Sequence, residues 1–404
     1  MLTEFAQKTV RNCMKIFCLF PIKDNRIIFN SHKGSQYVCN PRYIYEFLEK
    51  KYGEKLQYVW CLNNNPPESL KKHKSVRIVK YNSLLYFYYQ MTSKVIIANI
   101  PSPCYVPRRE KQYMIDTWHG GGAYKRIGTS MPKQSSLSNV SKNGIKTTES
   151  SDNTKWELYK AHYNALDTSI FLSSSKRFTE VMYESQLLPK EAYVETGMPR
   201  NDVFFCDYKA IGEKAKLRLG IAKNKKVMLF APTYRGNVQN QQFNMVLDIQ
   251  KCLDAAKERW GGEWVFAYRM HIFSNSLAKD CIPEHAVNAS RYDEMQELLC
   301  MADAFITDYS SSQWDFALTK KPAFLFTPDL EYYLHEDRGF YTPIDEWAFP
   351  YARTNDELVR LIMNFDEKKH LEKVQKHLNL LGSCDNGHAT ERVCKLIENH
   401  ITTK

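Results

Sequence analysis

A histidine, three glycines and two basic residues stand together in the segment DTWHGGGAYKRIG. The histidine is His119, the glycines run from Gly120 to Gly122, and Lys125 and Arg126 follow. Histidine is the natural general base near neutral pH, because its unperturbed pKa lies there. Glycines let backbone N–H groups approach an incoming group without Cβ interference, and the two cations attract negative charge. The segment therefore predicts a base beside a cradle for an anionic group.

A second histidine, His271, ends the apolar run WVFAYRMH, just as His119 follows the apolar run YMIDTW. In open α/β sheets, ligands bind beyond the carboxyl ends of the strands. A single histidine at a strand end is more often structural than catalytic. Two histidines in matching positions, each beside candidate anion donors, favour a catalytic interpretation.

Three serines follow an apolar strand pattern in ITDYSSSQWDFALTKKP and precede a helical pattern. Hydroxyls and free backbone N–H groups at a helix start favour an anion site. The alternative is helix capping by Ser311 or Ser312, with Asp315 closing a capping box. Both interpretations can hold, because capping and phosphate binding use the same geometry.

A threonine and an arginine, Thr233 and Arg235, end the strand pattern in APTYRGN. A guanidinium can clamp phosphate oxygens with two parallel hydrogen bonds, which a lysine cannot. Taken alone, Arg235 is better explained by a surface ion pair. Its position at a strand end nevertheless makes it a candidate for the same anion site.

Two series of strand patterns must position these residues. The first half of the chain contains NRIIFNS, LQYVWCL, SVRIVKY, KVIIANI, YMIDTWH, SIFLSSS and AYVETG, and the second half contains KVMLFAPTYR, WVFAYRMH, AVNAS, AFITDYS and AFLFTP. Apolar strands that alternate with helical patterns suit a parallel sheet covered on both faces. We therefore predict an α/β protein of two doubly wound domains with a ligand between them.

The same patterns divide the chain into three parts. Residues 1–22 predict a basic amphipathic helix, residues 23–205 a first Rossmann-like domain, and residues 206–404 a second one. The last helices are candidates to pack back on the first domain. Residues 129–155 contain eleven serines and threonines and few large apolar groups, which predicts a mobile surface loop. This loop is either a lid on the acceptor side or a simple disordered insertion.

The N-terminal segment, residues 2–20, has two helical faces of different polarity. The apolar face holds Ala6, Val10, Cys13, Met14 and Phe17, and the opposite face holds Gln7, Lys8, Arg11, Asn12 and Lys15. Such a helix fits the surface of acidic lipid. The equally supported alternative is a helix packed on its own domain.

The chain has 404 residues, with 56 lysines and arginines against 45 aspartates and glutamates, a net charge of +11. This excess suggests a polyanion, an anionic membrane surface or a phosphorylated substrate as partner. The 11 cysteines are scattered without a Cys-x-x-Cys pair, which supports neither a zinc site nor a disulfide framework and indicates a reducing compartment. We find neither an apolar run of the roughly 20 residues that cross a bilayer nor a signal peptide.

Seven motifs resemble, in order and approximate spacing, those of the CDP-glycerol glycerophosphotransferase family, which includes teichoic acid primases and polymerases and related capsule polymerases. They are WHGGGAYKRIG, GMPRNDVFF, APTYRGN, YRMH, ITDYSSSQWDFA, KKPAFLFTPDLEYY and RGFY. The likeness runs from Trp118 to Tyr341, and a weaker match in FNSHKGSQYVCNPRYIYEFL extends it to Phe29. This chain reads WHGGG where family members commonly read WHGTP, which leaves the acceptor's identity open.

The resemblance implies a GT-B-like fold, with two Rossmann-type domains facing each other across a cleft. It also implies transfer of a polyol phosphate from a CDP-activated donor to a hydroxyl, with release of CMP. By position, the family's functional histidines fall on His119 and His271. The implied donor and pyrophosphate site comprises Thr233, Arg235, Asp308, Ser310, Ser311 and Ser312, with Gly120, Gly121, Arg200, Asp315 and Glu331 as weaker candidates.

The implied donor is CDP-glycerol, or another CDP-polyol such as CDP-ribitol. The implied acceptor is a prenyl-diphosphate-linked saccharide or polyol phosphate at the inner face of the cell membrane, where the protein would be cytoplasmic and peripheral. We expect no metal site and no required cofactor, because no Asp-x-Asp cluster stands at the strand ends, and magnesium is a candidate activator.

Two other functions compete with this one. The same fold and phosphate site could serve a GT-B glycosyltransferase that uses a nucleotide sugar. The net charge could also serve nucleic-acid binding. Against that function, the basic residues are spread along the chain and no nucleic-acid-binding motif is present.

Overall fold

The chain folds into two compact units, each built on its own parallel sheet. The computed structural model describes residues 4–64, 66–122, 124–130, 149–233, 247–270, 286–337 and 339–402. The first unit comprises residues 1–119, 127–202 and 384–404, and the second comprises residues 120–126 and 203–383. The division therefore falls at 202/203 instead of the predicted 205/206, and the last part of the predicted second domain belongs to the first unit.

The first unit contains a seven-stranded sheet in the order β3-β2-β1-β4-β5-β6-β7. Its strands are β1 Lys23–Asn30, β2 Gln57–Cys61, β3 Val76–Val79, β4 Ser93–Ala98, β5 Tyr113–Asp116, β6 Ile170–Ser173 and β7 Tyr193–Glu195. Its helices are α1 Glu4–Cys13, α2 Cys39–Tyr52, α3 Glu68–Lys71, α4 Leu84–Thr92, α5 Glu149–Asp167, α6 Lys176–Ser185 and α14 Ala389–Glu398. The strand order reverses between β1 and β4, which is where such sheets bind ligands.

Strand β1 shows why this sheet is buried on both faces. Ile27 and Phe29 pack in one apolar cluster, which also contains Val393 of α14. Ile28, between them in sequence, packs in a second cluster with Ile96 of β4. Because successive side chains of a strand point to opposite faces, a continuous apolar strand requires cover on both sides of the sheet.

The C-terminal helix α14 belongs to the first unit because its apolar side packs in that core. Val393 is fully buried there. The carboxylate of Asp202 accepts hydrogen bonds from Ala389 N (3.0 Å) and Thr390 N (2.7 Å). A carboxylate at a helix N-terminus satisfies otherwise unpaired N–H groups and complements the helix dipole.

The second unit contains a six-stranded parallel sheet in the order β10-β9-β8-β11-β12-β13. Its strands are β8 Lys226–Phe230, β9 Trp264–Tyr268, β10 Val287–Asn288, β11 Ala304–Thr307, β12 Ala323–Phe326 and β13 Tyr351–Ala352. Its helices are α7 Tyr208–Arg218, α8 Ile249–Trp260, α9 Met295–Met301, α10 Ser312–Ala317, α11 Leu330–Tyr332, α12 Asn355–Met363 and α13 Glu367–Leu380. Here the strand order reverses between β8 and β11.

Each of the twelve runs predicted as a strand overlaps one of the strands β1–β12. The missed strand, β13, pairs with β12 over two residues and is too short to show a periodic pattern. Of the predicted mobile loop 129–155, residues 131–148 lie outside the described residues. Residues 149–155 are not loop, because α5 already begins at Glu149. The first turns of this helix are polar, so the composition of residues 129–155 indicated a loop there.

The N-terminal helix α1 packs on its own unit through residues that the sequence had placed on its polar face. Arg11 makes a bidentate ion pair with Asp167, at 2.7 and 2.8 Å, and lies over the ring of Tyr163. Gln7 is buried as well. Of the two interpretations of this helix, the one in which it packs on its own domain holds for Arg11 and Gln7. None of the helices in the described parts of the chain has the length and apolar character to span a membrane.

Candidate active site

His119 lies beyond the carboxyl end of β5 and is exposed to solvent. Its Nδ1 is 2.8 Å from the main-chain oxygen of Asn99, the residue that follows β4. Because a carbonyl oxygen only accepts, Nδ1 carries the proton in this hydrogen bond, and Nε2 of the neutral ring carries the lone pair. The geometry therefore presents Nε2 as the basic atom.

The main chain turns sharply just before His119. Asp116, the last residue of β5, accepts a hydrogen bond from Trp118 N through Oδ1 at 2.9 Å, which forms an Asx-turn. Trp118 has a φ of +50°, a left-handed conformation that is costly for a bulky residue. Burial raises the pKa of the Asp116 carboxyl to about 7. The turn that presents His119 thus holds backbone strain and a group that titrates near neutral pH.

Two buried polar side chains hold the carbonyl groups of this turn. Asn40 donates through Nδ2 to the oxygens of Thr117 (2.9 Å) and Trp118 (3.1 Å). Arg200 donates from Nη1 to the oxygen of His119 at 2.6 Å. The resemblance placed Arg200 among the weaker donor contacts, and the structure places it on the main chain of His119.

Sequence reasoning missed three residues around His119. They are His32, Asn40 and Asn99. The ring of His32 lies 5.8 Å from that of His119, centroid to centroid, and His32 N donates to Asn99 Oδ1 at 2.8 Å. A signal was available, because His32 and Asn99 follow the carboxyl ends of β1 and β4, the two strands where the sheet order reverses.

In the second unit, Thr233 and Asp308 join the ends of the two central strands. Thr233 donates to Asp308 Oδ1 through its backbone N (2.8 Å) and its Oγ1 (2.7 Å). Ser310 N donates to the same oxygen at 3.2 Å. Asp308 is fully buried. Its carboxylate therefore organises the turns after β8 and β11, so that three of the predicted donor residues come together.

The serine segment does not form the capping box considered from the sequence. Ser311 is the N-cap residue of α10, but its side chain makes no capping hydrogen bond. Instead, Ser312 donates to Ser310 Oγ through its own Oγ at 2.9 Å. The buried Asp315 accepts from Gln296 Nε2 at 3.1 Å, which uses one of its oxygens inside the unit.

For the remaining predicted site residues, the structure gives contacts only for Glu331. Glu331 is exposed and forms an ion pair with Arg353 at 3.1 Å. Arg235 and His271 lie outside the described residues. Within those residues, we find no group of three or more histidine, cysteine or carboxylate side chains that could hold a metal ion.

The glycines after His119 are explained by close packing. A Cβ atom on Gly121 would lie 2.1 Å from Trp314 Cδ1, and one on Gly122 would lie 2.4 Å from Tyr124 Cε2. Gly122 also has a φ of +70°. Side chains at these two positions would collide with aromatic rings, so glycine at 121 and 122 is a packing requirement of the second unit.

The residues that follow these glycines are anchored in the second unit. Tyr341 N donates to Tyr124 O at 2.8 Å, and Arg126 N donates to Gly339 O at 3.2 Å. The Tyr124 hydroxyl lies 2.9 Å from His377 Nε2. His119 is therefore followed directly by residues 120–126, which belong to the second unit and are hydrogen-bonded within it.

Two Rossmann-type sheets, each with polar side chains where its strand order reverses, are characteristic of ligand-binding α/β proteins with a GT-B-like fold. Residues 12–399 match the family described as CDP-glycerol:poly(glycerophosphate) glycerophosphotransferase. The chain belongs to this family.

Similar proteins of known activity support the same class. The chain is 30% identical to the teichoic acid poly(glycerol phosphate) polymerase of Bacillus spizizenii, over 94% of this chain and 93% of the relative. It is 27% identical to the teichoic acid glycerol-phosphate transferase of Staphylococcus aureus, over 98% of both chains. A solved structure of a variant of the wall teichoic acid polymerase TagF, soaked with CDPG, matches with a TM-score of 0.78 and 26% identity, over 97% of this chain and 93% of that one.

The identification confirms several expectations from the sequence. The fold is GT-B-like, as the motif series implied. The chain is a phosphotransferase of teichoic acid polymer synthesis, acting by glycerophosphate transfer.

Proposed function

We propose that the protein transfers glycerol 3-phosphate from CDP-glycerol to a hydroxyl group of a membrane-lipid-linked acceptor and releases CMP. The observation that carries this proposal is the hydrogen bond from His119 Nδ1 to Asn99 O, which leaves the lone pair on Nε2 of an exposed ring. A base needs this tautomer to take a proton from an attacking hydroxyl. Family membership and the relative soaked with CDPG support the choice of donor.

The proposed reaction is an in-line displacement at phosphorus. The acceptor oxygen attacks the phosphorus that carries the glycerol, and a new P–O bond forms there. The bond from this phosphorus to the bridging oxygen breaks, and that oxygen leaves with its electron pair as part of CMP. The hydroxyl proton passes to Nε2 of His119.

The donor diphosphate would bind in the second unit, at the turns after β8 and β11. Thr233, Ser310 and Ser312 shape these turns through their hydrogen bonds to Asp308 and to each other. The hydroxyls of Ser310 and Ser311 are the candidate direct contacts, and Arg235 and His271 are the cationic candidates. Asp308 has a different part in this arrangement. Its carboxylate carries the same charge as the diphosphate, and it accepts from Thr233 and Ser310, so it orders the turns that make the contacts.

The test is the rate of CMP release from CDP-glycerol with a prenyl-diphosphate-linked disaccharide acceptor. We expect His119→Ala, His271→Ala and Arg235→Ala each to lower the rate, and His119→Ala to lower it by about 10²-fold or more. His388→Ala is a matched control, because His388 is exposed and pairs with Glu391 on a surface helix. Native rates in a site-histidine variant would remove that histidine from the mechanism.

The same assay separates the competing functions. CDP-ribitol and a panel of nucleotide sugars replace CDP-glycerol as donors, and product length distinguishes a single transfer from polymerisation. Turnover of a nucleotide sugar, with none of either CDP-polyol, would establish a glycosyltransferase instead. We expect turnover to survive EDTA and magnesium to increase it at most severalfold, since charged and hydrogen-bonding groups at the strand ends can neutralise the diphosphate.

We also propose that the protein binds the inner face of the cell membrane through an apolar surface of its first unit. This surface consists of α1, the following 3₁₀ turn and the start of α4. Phe5, Leu19 and Leu84 are 81%, 83% and 78% exposed there, and Ile16 is 64% exposed. Exposed apolar side chains mixed with lysines suit insertion into the headgroup region of an anionic bilayer.

Vesicle flotation tests this location. We expect the native protein to float with phosphatidylglycerol vesicles and to bind phosphatidylcholine vesicles less. Leu19→Asp and Phe5→Asp should each weaken flotation by at least about tenfold, since each places a charge in the apolar region. Leu217→Asp is the matched control, because Leu217 is 75% exposed but lies in the second unit. Equal binding by all variants would exclude this surface.

A further inference from the structure

Arg200 makes contacts that differ from those of a donor-binding arginine. Its side chain is buried, with 6% of the residue exposed. Its Nη1 donates to the main-chain oxygen of His119 at 2.6 Å and to Cys39 Sγ at 3.4 Å. These groups belong to the first unit and include no residue of the predicted donor site. The guanidinium therefore bonds directly to the residue that carries the base.

Arg200 and Asn40 are coupled to each other. Asn40 Oδ1 accepts from Arg200 N at 3.1 Å, and Asn40 Nδ2 donates to the oxygens of Thr117 and Trp118. Together, the two side chains fix three consecutive carbonyl groups that end at His119. This explains how Trp118 keeps its left-handed backbone, because a strained conformation persists only where its surroundings over-determine it.

We propose that Arg200 is a positioning residue for the His119 base, acting through the main-chain oxygen of His119 instead of binding the donor. This inference rests on the proposed function, in which His119 takes the acceptor proton. Its physical basis is that a base must be held within a fraction of an ångström of its working position, and a misplacement of about 1 Å can cost 10²-fold in rate.

The charge of Arg200 adds a second effect. A cation near an imidazole disfavours the imidazolium form, and Arg200 is bound to the main chain of the same residue, so the inference predicts that loss of this cation changes the pH profile. In the described part of the chain, the titratable and charged groups near His119 and its turn include Arg200 itself, the His32 ring, the Cys39 thiol next to the guanidinium, and the Asp116 carboxyl. Asp116 acts in the opposite direction and titrates in the same range, so it must be replaced before a pH profile can be assigned to His119.

The experiment compares Arg200→Gln and Arg200→Lys, both in an Asp116→Asn background. For each variant, kcat and KM for CDP-glycerol are measured from pH 5 to 9. We expect Arg200→Gln to lower kcat roughly 10- to 100-fold, with KM for CDP-glycerol within about threefold. The acid limb of kcat/KM should move up by about half a pH unit or more, because the cation is lost. Compared with Arg200→Gln, Arg200→Lys should return the acid limb of kcat/KM to its original pH and recover part of kcat.

Asn40→Asp is a second variant that leaves the guanidinium in place. It keeps the acceptor for Arg200 N and removes the donor to Thr117 O and Trp118 O. We expect a lower kcat with an unchanged KM, and an acid limb displaced to higher pH by the added negative charge. Arg259→Gln is the matched control, since Arg259 also donates to a main-chain oxygen, that of Phe365, in the other unit. It should change neither parameter.

Two results would overturn the inference. An Arg200→Gln enzyme with a tenfold higher KM for CDP-glycerol and an unmoved acid limb would make Arg200 a donor contact. An Asn40→Asp enzyme with native kcat would show that the hydrogen bonds from Asn40 Nδ2 to the oxygens of Thr117 and Trp118 are not needed to position His119. Failure of the proposed function gives a different result, because His119→Ala would then keep the native rate whatever the Arg200 variants do.

Discussion

The imidazole of His119 donates through Nδ1 to the main-chain oxygen of Asn99, 2.8 Å away. The side chain of Asn99 contacts a second histidine through its main chain, since Asn99 Oδ1 accepts from the backbone N–H of His32 at 2.8 Å. Asn99, which is buried and follows β4, thus bonds to His119 after β5 and to His32 after β1. A main-chain carbonyl serves here as the group that fixes the tautomer of the base, a part that a carboxylate plays in many enzymes.

This hydrogen bond predicts the behaviour of His119→Asn. The asparagine Nδ2 can replace Nδ1 as donor to Asn99 O, but nothing replaces Nε2. We expect the free energy of unfolding to change by less than about 1 kcal/mol, while CMP release in a single turnover falls about 10²- to 10⁴-fold. His388→Asn provides the control. A His119→Asn variant that is slow because it is unfolded would contradict the prediction that Nδ1 serves stability and Nε2 serves catalysis.

Asp116 predicts a stability that decreases with rising pH. Its carboxyl pKa is raised by burial from 3.8 to about 7, so the folded protein binds more protons than the unfolded chain between these values. Stability from this group is fully present below pH 3.8 and is lost as the pH rises through 7. At about 1.4 kcal/mol per pKa unit, the loss is roughly 4 kcal/mol.

Asp116→Asn tests this prediction, because asparagine can still accept from Trp118 N. Urea unfolding of both proteins is measured from pH 4 to 8. We expect the variant to gain stability over the native protein as the pH rises, by about 4 kcal/mol across the range. A difference between the two proteins that does not depend on pH would mean that Asp116 is ionised throughout.

The fold could be predicted from the sequence because its strands are continuous apolar runs. KVIIANI and KVMLFAP, for example, are short, rich in β-branched and apolar residues and typical of strands in a covered parallel sheet, and both are central strands of their sheets. Strand β13 could not be found, since two residues show no period. The last helices were only candidates to pack on the first domain, because the unit that α14 joins depends on the packing of Val393 with residues far away in sequence, such as Ile27 and Phe29.

Only part of the candidate site could be predicted from the sequence. His119, Thr233 and Ser310 could be found because their residue types suggest chemistry. Asn40 could not, because it acts through hydrogen bonds to main-chain atoms, which have no residue type. Asn99 was marked only by its place after β4, since it holds His119 through its own main-chain oxygen. The glycines after His119 were interpreted as a cradle for an anion. The packing of Gly121 on Trp314 shows a steric reason that only the folded protein reveals.

His377 predicts sensitivity to acid. Its Nδ1 lies 3.1 Å from Glu346 O, so that Nδ1 carries the proton and Nε2 accepts from the Tyr124 hydroxyl. Burial lowers the pKa of His377 from 6.5 to about 4. The unfolded chain therefore binds the proton first as the pH falls. The contribution of this group is fully present above pH 6.5 and is lost down to pH 4, by roughly 3 kcal/mol.

The double variant Tyr124→Phe with His377→Phe should flatten this dependence, since it removes the titrating ring together with the hydroxyl that pairs with it. Glu346 O loses its donor in this variant, which costs the same at both pH values. Tyr124→Phe alone should cost about 1–3 kcal/mol at pH 7, because it leaves Nε2 of His377 without its donor. Urea unfolding at pH 4.5 and 7 measures both effects. An equal loss of stability at acid pH in the native protein and the double variant would assign the sensitivity to another group.

Gly121 predicts a steric conflict that a second substitution relieves. A Cβ atom there would overlap the Trp314 ring, so Gly121→Ala should destabilise the protein by about 1–3 kcal/mol. In Gly121→Ala with Trp314→Leu, the second change makes room for the new methyl group. The double variant should be more stable than the sum of the single effects predicts, by at least about 0.5 kcal/mol. Additive effects within error would show that the two residues do not press on each other.

The position of Asp308 predicts which of its substitutions spares donor binding. Thr233 and Ser310 place three donors on Asp308 Oδ1, at 2.7 to 3.2 Å. Asparagine keeps an oxygen at that place and removes a negative charge that would repel a diphosphate. Asp308→Asn should therefore bind CDP-glycerol with a Kd within about threefold of the native value, or tighter, whereas Asp308→Ala should weaken it about tenfold, since the turns lose their common acceptor.

Calorimetric titration with CDP-glycerol in a His119→Asn background measures these constants without turnover. Thr233→Val is the control for the hydroxyl alone, because it removes Oγ1 and keeps the backbone N–H bond to Asp308. If Asp308→Asn loses as much affinity as Asp308→Ala, the negative charge itself is needed. The carboxylate would then contact the bound donor directly, through a ribose or glycerol hydroxyl, instead of organising the turns around the diphosphate.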